Sequence, residues 1–280
     1  MNPTEHKSAA KAALQYYVDH GVDVCLSDEP VDRTVKLQVV EAPPQEKPAP
    51  EALKPAEPEM LLGKSDARNE AVKLAQSCNT LEELREAIAT FDGIAIKKTA
   101  TNLVFCDGNV DAPIMLIGEA PGTDEDRQGK PFVGIGGQLL DKIVKCIDLE
   151  RTEENPAKSI YISNILNWRP PGNRTPSPAE IEVSLPFIER HIQLVKPKIL
   201  IFCGGVSAKS LLGSGDSISR LRKCWHDYLP QTPELKAEAS PIPAIVTYHP
   251  EYLLRTPAQK KAVWADMLAV QAKRAELKIS

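Results

Sequence analysis

The stretch Ile114-Met115-Leu116-Ile117-Gly118-Glu119-Ala120-Pro121-Gly122 runs four apolar residues straight into a loop of glycine, carboxylate and proline. Asp124-Glu125-Asp126 and Gly129-Lys130-Pro131-Phe132-Val133-Gly134 follow directly. An unbroken apolar run, rather than an alternating one, belongs to a strand covered on both faces, as in a parallel sheet between helices. Working outward, the same unit recurs: strand-like runs at 159–165, 198–203 and 244–248 alternate with helical patterns at 66–76, 80–89, 137–147, 178–194, 206–212 and 257–277. Two helix starts carry a capping box, Thr80 with Glu83 and Ser177 with Glu180, the second with Pro178 at the first helical position. Strand–helix alternation of this kind gives an α/β fold. The expectation is a three-layer α/β/α arrangement around a central four-stranded parallel sheet.

Size and charge set the frame. The chain has 280 residues, 42% of them apolar, and suits one ordinary domain with an appendage. The formal net charge is −4, yet residues 1–65 hold 7 Lys and Arg against 11 Asp and Glu, so the remainder is balanced. A neutral domain still binds nucleic acid when its cations are clustered locally. A short helix is expected at 9–17, and six prolines within 41–60 read as an extended linker. The expected organisation is an N-terminal helical segment at 1–40, a Pro-rich disordered linker at 41–64 and a catalytic-type domain at 65–280. The first residues lack the apolar core of a secretory signal, and no apolar run reaches membrane-spanning length. A cytoplasmic monomer with no membrane partner is expected. The six cysteines are scattered without a C-x-x-C pair, so free thiols are expected and no metal site; Cys224 and His226 alone do not make a four-ligand centre.

The polar and glycine-rich segments fall at the carboxyl ends of the expected strands: the Gly118 loop, Asn164 with Trp168-Arg169-Pro170-Pro171, Gly204-Gly205, and His249. Ligands of an open parallel sheet bind there, so the four segments are expected to form one site. The first loop is not a phosphate cradle, because Gly129-Lys130 is followed by Pro131 and the dinucleotide glycine spacing is missing. Its carboxylates suit a developing cation or an activated water instead. Phe132, between turn residues, reads either as a core aromatic or as a stacking platform for a base. Asn164 reads either as a strand-end cap or as an amide that pairs with a pyrimidine edge. His249 before Pro250 reads as a structural histidine or as an electrophile in the site. Tyr252-Leu253-Leu254, an apolar tip on a loop, either docks the last helix or wedges into a base stack with Arg255 on phosphate. Arg169 and Arg174, in a rigid Pro-rich stretch, are candidates for backbone contacts to nucleic acid. Arg220, Arg222 and Lys223 form a further basic cluster, which reads first as a solvated face.

Taken together, Gly118-Glu119-Ala120-Pro121-Gly122, Glu125-Asp126, Gly129-x-Pro131-Phe132-Val133-Gly134, Asn164, Arg169-Pro170-Pro171-x-Asn173-Arg174-Thr175-Pro176 and His249-Pro250-x-Tyr252-Leu253-Leu254-Arg255 resemble the family 4 uracil-DNA glycosylases. The resemblance runs from about Asp107 to the end of the chain. It implies a base-flipping, monofunctional glycosylase of base excision repair that hydrolyses the uracil–deoxyribose bond and leaves an abasic site, with uracil-containing DNA as its partner. By the same resemblance Gly118, Glu119 and Ala120 line the uracil pocket and Phe132 stacks on the base. Asn164 pairs with its Watson–Crick edge, Glu125 positions water and steadies the sugar cation, and His249 stabilises charge on uracil O2. Leu253 or Leu254 fills the vacated stack, with Tyr252, Arg255, Arg169 and Arg174 on DNA. The family typically carries an iron–sulfur cluster on four cysteines, whose positions here hold only Cys78, with Trp168 and Ser184 at the third and fourth. A cluster held by thiolates cannot form on that set, so no cofactor is expected. Covalent trapping of DNA is not expected either, because the basic insert that serves it in some relatives is missing after Gly134. Two other readings stand beside this one: a non-catalytic module that binds uracil or single-stranded DNA, and an unrelated hydrolase acting on free nucleotides.

Overall fold

The computed structural model describes residues 62–237 and 239–279. The expected helix at 9–17 and the Pro-rich linker lie outside the described residues. In chain order the elements are helices α1 (Leu62–Ser77) and α2 (Leu81–Thr90), strands β1 (Asp107–Gly108) and β2 (Ile114–Gly118), helices α3 (Thr123–Gln128) and α4 (Ile135–Lys145), and β3 (Tyr161–Asn164). Then come α5 (Pro178–Val195), β4 (Ile199–Cys203), α6 (Gly205–Leu212), α7 (Ile218–Leu221), β5 (His226–Tyr228), α8 (Pro233–Lys236), β6 (Ile242–Thr247), α9 (Pro250–Arg255) and α10 (Lys260–Glu276).

The strands form a six-stranded sheet in the order β1-β3-β2-β4-β6-β5. The four inner strands, β3, β2, β4 and β6, are parallel, with Leu116 opposite both Ile162 and Ile201, and Ile201 opposite Ile245. The expectation of a four-stranded sheet is therefore corrected: β1 and β5 add an antiparallel strand at each edge. Asp107-Gly108 and His226-Asp227-Tyr228 are too short and too polar to announce themselves by an apolar run. Pairing to a neighbouring edge, not intrinsic preference, makes them strands.

Alternation along each inner strand builds two cores. Ile114, Leu116, Ile162, Ile199 and Ile201 face one side and join Leu140 and Val144 of α4 and Val263, Met267 and Val270 of α10. Met115, Ile117, Tyr161, Leu200 and Phe202 face the other and join Ala71 and Ala75 of α1, Leu84 and Ile88 of α2, Phe187 and Ile192 of α5 and Leu211 of α6. Each buried Leu, Ile or Phe side chain contributes about 1.5–3 kcal/mol by its removal from water.

The helix starts follow their caps, with one departure. The Ser177 hydroxyl accepts from Glu180 N and the Glu180 carboxylate accepts from Ser177 N, the full reciprocal box. Arg174 holds the same carboxylate with two bonds of 2.8 and 2.6 Å, and it is chiefly this guanidinium that keeps the Glu180 carboxyl down at about 2. At α2 the Thr80 hydroxyl caps Glu83 N, but the Glu83 carboxylate reaches one residue further back, to Asn79 N. Helices α3 and α9 were not legible: six-residue segments do not hold a helix alone, and both are fixed by the sheet ends they follow. The 252–255 segment is accordingly part of a helix and not a loop tip.

Deep in the sheet, the Tyr161 hydroxyl and His191 Nε2 are 2.8 Å apart, and the His191 ring stacks on Phe105 at 4.4 Å. Burial holds His191 down to about 3. The unfolded chain therefore binds a proton that the folded one refuses, and stability falls as pH drops below the ordinary histidine range near 6.5, continuing down to about 3. Between those limits this group alone contributes a slope of about 1.4 kcal/mol per pH unit. Urea unfolding of the parent chain and of His191→Gln at pH 7 and pH 5 should show the variant losing less stability on acidification; identical losses would remove His191 from the account.

Candidate functional site

Strands β2, β3, β4 and β6 all end on one rim, and the loops beyond them converge there. At the end of β2, Gly118 has no room for a side chain: a Cβ would lie 2.4 Å from Asn164 Oδ1 and 2.5 Å from Phe132 Cζ. The missing methyl is what lets the amide at the end of β3 and the aromatic ring meet over the strand.

The loop after β2 is folded back on itself by Glu125. Its carboxylate accepts Gly122 N at 3.1 Å, closing the first turn of α3, and Val133 N and Gly134 N, each at 2.9 Å. The turn between those anchors puts Phe132 in the left-handed region, φ 53°. Arg151 grips it from beneath, donating to the Pro131 and Phe132 carbonyls at 3.0 and 2.9 Å while paired with Asp107 and Asp141. Gly137 completes the fit, because a Cβ there would fall within 2 Å of the Phe132 carbonyl carbon and oxygen. The Phe132 ring then lies 5.4 Å from the His249 ring, tilted by 31°.

His249 follows β6 and caps α9. Its Nδ1 accepts Glu251 N over a long 3.4 Å, which leaves the proton on Nε2. Burial lowers the imidazole's pKa below its ordinary value, against the opposing pull of Glu251 and Glu125. The ring is thus a neutral donor at neutral pH. Glu119 is shifted the other way: burial first, and Glu251 second, raise its carboxyl.

These groups enclose an inner pocket of about 20 Å³ lined by Ala120, Gly122, Glu125, Phe132, Gly136, Gly137, Asn164, His249 and Glu251. A groove of about 290 Å³ outside it is lined by Glu119, Pro170, Arg174, Tyr252 and Arg255 among others. The Asn164 amide oxygen is buried and accepts no hydrogen bond from any described residue. An unmet acceptor in that setting costs about 1–3 kcal/mol, a cost that a ligand carrying an N–H removes. A cleft of about 730 Å³ lies elsewhere, between the end of α5, α8 and the start of β6, away from all of these groups.

Of the residues expected at the site, Gly118, Ala120, Glu125, Phe132, Asn164 and His249 are brought together, and Glu119 borders the groove. The arginines are less free than their exposure in sequence suggests. Arg169 donates to Asn173 Oδ1 at 2.6 Å and stands 3.9 Å from the buried Asp126, and Arg174 is clamped to Glu180. Tyr252 packs on Tyr248, with ring centroids 5.1 Å apart. Leu253 is fully buried in the core beside α4 and α10, whereas Leu254 is 43% exposed. Of the two leucines, only Leu254 is placed to meet another molecule. Arg222 is likewise structural, tied to Asp266, which also receives the Thr247 hydroxyl. Arg151 and Glu251 were missed. Arg151 sits in the run Glu150-Arg151-Thr152-Glu153-Glu154, which reads as a solvated face. Glu251 stands inside the His249–Arg255 motif, and that position was its signal.

The positions that would carry an iron–sulfur cluster do not fit one. The Cys78 thiol is buried and donates to the Leu74 carbonyl, and burial raises its pKa, the reverse of what a thiolate ligand needs. Trp168 is buried in the same apolar cluster as Cys78, and the Ser184 side chain is buried on α5. Among the described residues no three His, Cys, Asp or Glu side chains are grouped to hold a metal.

Comparison with known proteins shows the family. Residues 105–268 match the profile of the uracil DNA glycosylase superfamily. The type-4 uracil-DNA glycosylase of Pyrobaculum aerophilum is 32% identical over 187 residues, covering 67% of this chain and 91% of the relative. That of Sulfurisphaera tokodaii is 32% identical over 204 residues, covering 70% and 88%, and that of Archaeoglobus fulgidus 31% over 191 residues, covering 67% and 89%.

The grip of Arg151 is open to a direct test. Arg151→Ala leaves two carbonyls and the Asp141 carboxylate without their partner and Asp107 with only Lys130, and should lower unfolding stability by about 3 kcal/mol. Amide exchange at Val133 and Gly134 should accelerate more than exchange in β4; uniform acceleration would mean that Arg151 has no special hold on the turn.

Proposed function

The chain belongs to the uracil-DNA glycosylase superfamily, and we propose that its inner pocket excises uracil from DNA by hydrolysis, as a step of base excision repair. The observation that carries the assignment of roles is the buried Asn164 amide with its unmet oxygen, set beside Phe132 and His249. Uracil presents an N–H between two carbonyls. Asn164 accepts from that N–H and donates to O4, Phe132 stacks on the ring, and the Nε2–H of His249 donates to O2.

Flipping the nucleotide costs a few kcal/mol of lost pairing and stacking, least for mispaired or single-stranded uracil. Leu254, exposed on α9, fills the space left in the stack, and Arg255 lies against backbone phosphate. As the C1′–N1 bond breaks, negative charge moves onto uracil O2 and positive charge onto the sugar. His249 meets the first with a donor already in place, the kind of preorganised stabilisation that dominates many enzymic rate enhancements. Glu125 meets the second. A carboxylate has about four acceptor sites, and Gly122, Val133 and Gly134 occupy three. The remaining site holds the water that adds to C1′, while the departing uracil anion takes up a proton. No lysine lines the inner pocket, which supports a monofunctional enzyme without a lyase step. The chain is read as a cluster-free branch of the family, supported by the buried Cys78 thiol and by Trp168 and Ser184 at the ligand positions.

The test is excision from a labelled single-uracil oligonucleotide, followed by alkaline cleavage at the abasic site. The parent chain should form product. His249→Ala should slow single-turnover excision about 100- to 1,000-fold, the usual effect of removing one such donor, and Asn164→Ala should be comparably slow, with both variants melting near the parent. Turnover at the parent rate by either variant would overturn its role. Leu254→Ala should slow excision from duplex more than from single-stranded substrate, where no stack needs refilling; equal slowing would show that Leu254 acts otherwise.

A further inference from the structure

The inner pocket is too small for its ligand. About 20 Å³ holds roughly one water, not a pyrimidine ring with two exocyclic oxygens. Something in its wall must move before a base enters, and the wall shared with the outer groove consists of Ala120, Gly122, His249 and Glu251.

Three of the four are fixed. Ala120 and Gly122 have no side-chain torsion that could open a path. His249 is the cap of α9, bonded through Nδ1 and set between Phe132 and Gly204, where a Cβ would lie 3.6 Å from the ring. Glu251 differs. It is exposed, and its carboxylate accepts no hydrogen bond and forms no ion pair with any described residue. Its Cγ rests in a seat left bare by Gly136, 2.9 Å from where a Cβ would stand. Long side chains of this kind change rotamer at little cost when nothing holds the far end. Turning outward, Glu251 leaves the inner pocket and joins the larger groove, which Arg174 and Arg255 also line.

We propose that Glu251 is the gate of the base pocket: it fills the doorway between Gly136 and His249 in the resting enzyme, swings out as the base enters, and by its bulk limits the size of base accepted. This rests on the uracil-excising reading of the site and adds to it a specificity-determining residue. Glu251 is a positioning residue in this account; it need not touch the reacting atoms.

The experiment compares single-turnover excision of uracil and of 5-hydroxymethyluracil, which shares the edge read by Asn164 but is larger. Parent, Glu251→Ala and Glu251→Gln are assayed in the same duplex context. The rate on 5-hydroxymethyluracil relative to that on uracil should rise about 10-fold or more in Glu251→Ala, the usual worth of a small change in pocket volume. It should stay near the parent value in Glu251→Gln, which keeps the bulk and removes the charge. An unchanged or lower ratio in Glu251→Ala overturns the gate. So does an equal rise in both variants, which would assign the effect to charge. Failure of the parent to excise uracil is a separate result: it overturns the functional reading, and the gate with it. Glu251 is on the surface, and matched melting temperatures confirm that the ratios compare folded enzymes.

Discussion

The turn at Phe132 is the constraint on which the site depends. A bulky residue in left-handed backbone costs about 1–3 kcal/mol wherever it stands, and here it is held from both sides. Glu125 ties down the amides that follow it, and Arg151 ties down its carbonyl from below. Gly137 and Gly118 supply the space on either flank. The ring is thereby fixed over the end of β2 and against both Asn164 and His249, before any ligand arrives. Rigidity acquired on folding need not be acquired on binding.

Charge is arranged with equal economy. Glu119, Glu125 and Glu251 stand around the pocket and the groove outside it, with Arg174 and Arg255 further along that groove. Into that acidic setting the fold places a histidine kept neutral by burial. A protonated ring would be attracted to its neighbours, but it would have to be desolvated to stay where it is. The neutral ring keeps one N–H for the ligand and one lone pair for the helix it caps.

How much of this was legible in the sequence depends on distance along the chain. The four inner strands are unbroken apolar runs, and the polar segments at their carboxyl ends are the ones the structure brings together. The Ser177–Glu180 box is a local signal read locally. The edge strands, α3 and α9 were not legible, because each is too short to hold its conformation alone and exists by leaning on residues far away. The same reason hid Arg151, whose partners lie ten to forty-four residues off. It also explains Leu253 and Leu254: the sequence offered two neighbouring leucines, and only the helical turn of α9 decides that one is in the core and the other in solvent.

The two short edge strands have a consequence of their own. A central sheet made of Ile114-Met115-Leu116-Ile117 and Ile199-Leu200-Ile201-Phe202 would be an avid template for another chain if it ended on strands of the same kind. It ends instead on Asp107-Gly108 at one side and His226-Asp227-Tyr228 at the other, both running against the inner strands. With so few backbone groups to offer, and with Asp107 already engaged by Arg151 and Lys130, the borders give an incoming strand little to grow on. The short strand that ends the sheet on this side is thus tied to the same guanidinium that holds the Phe132 turn.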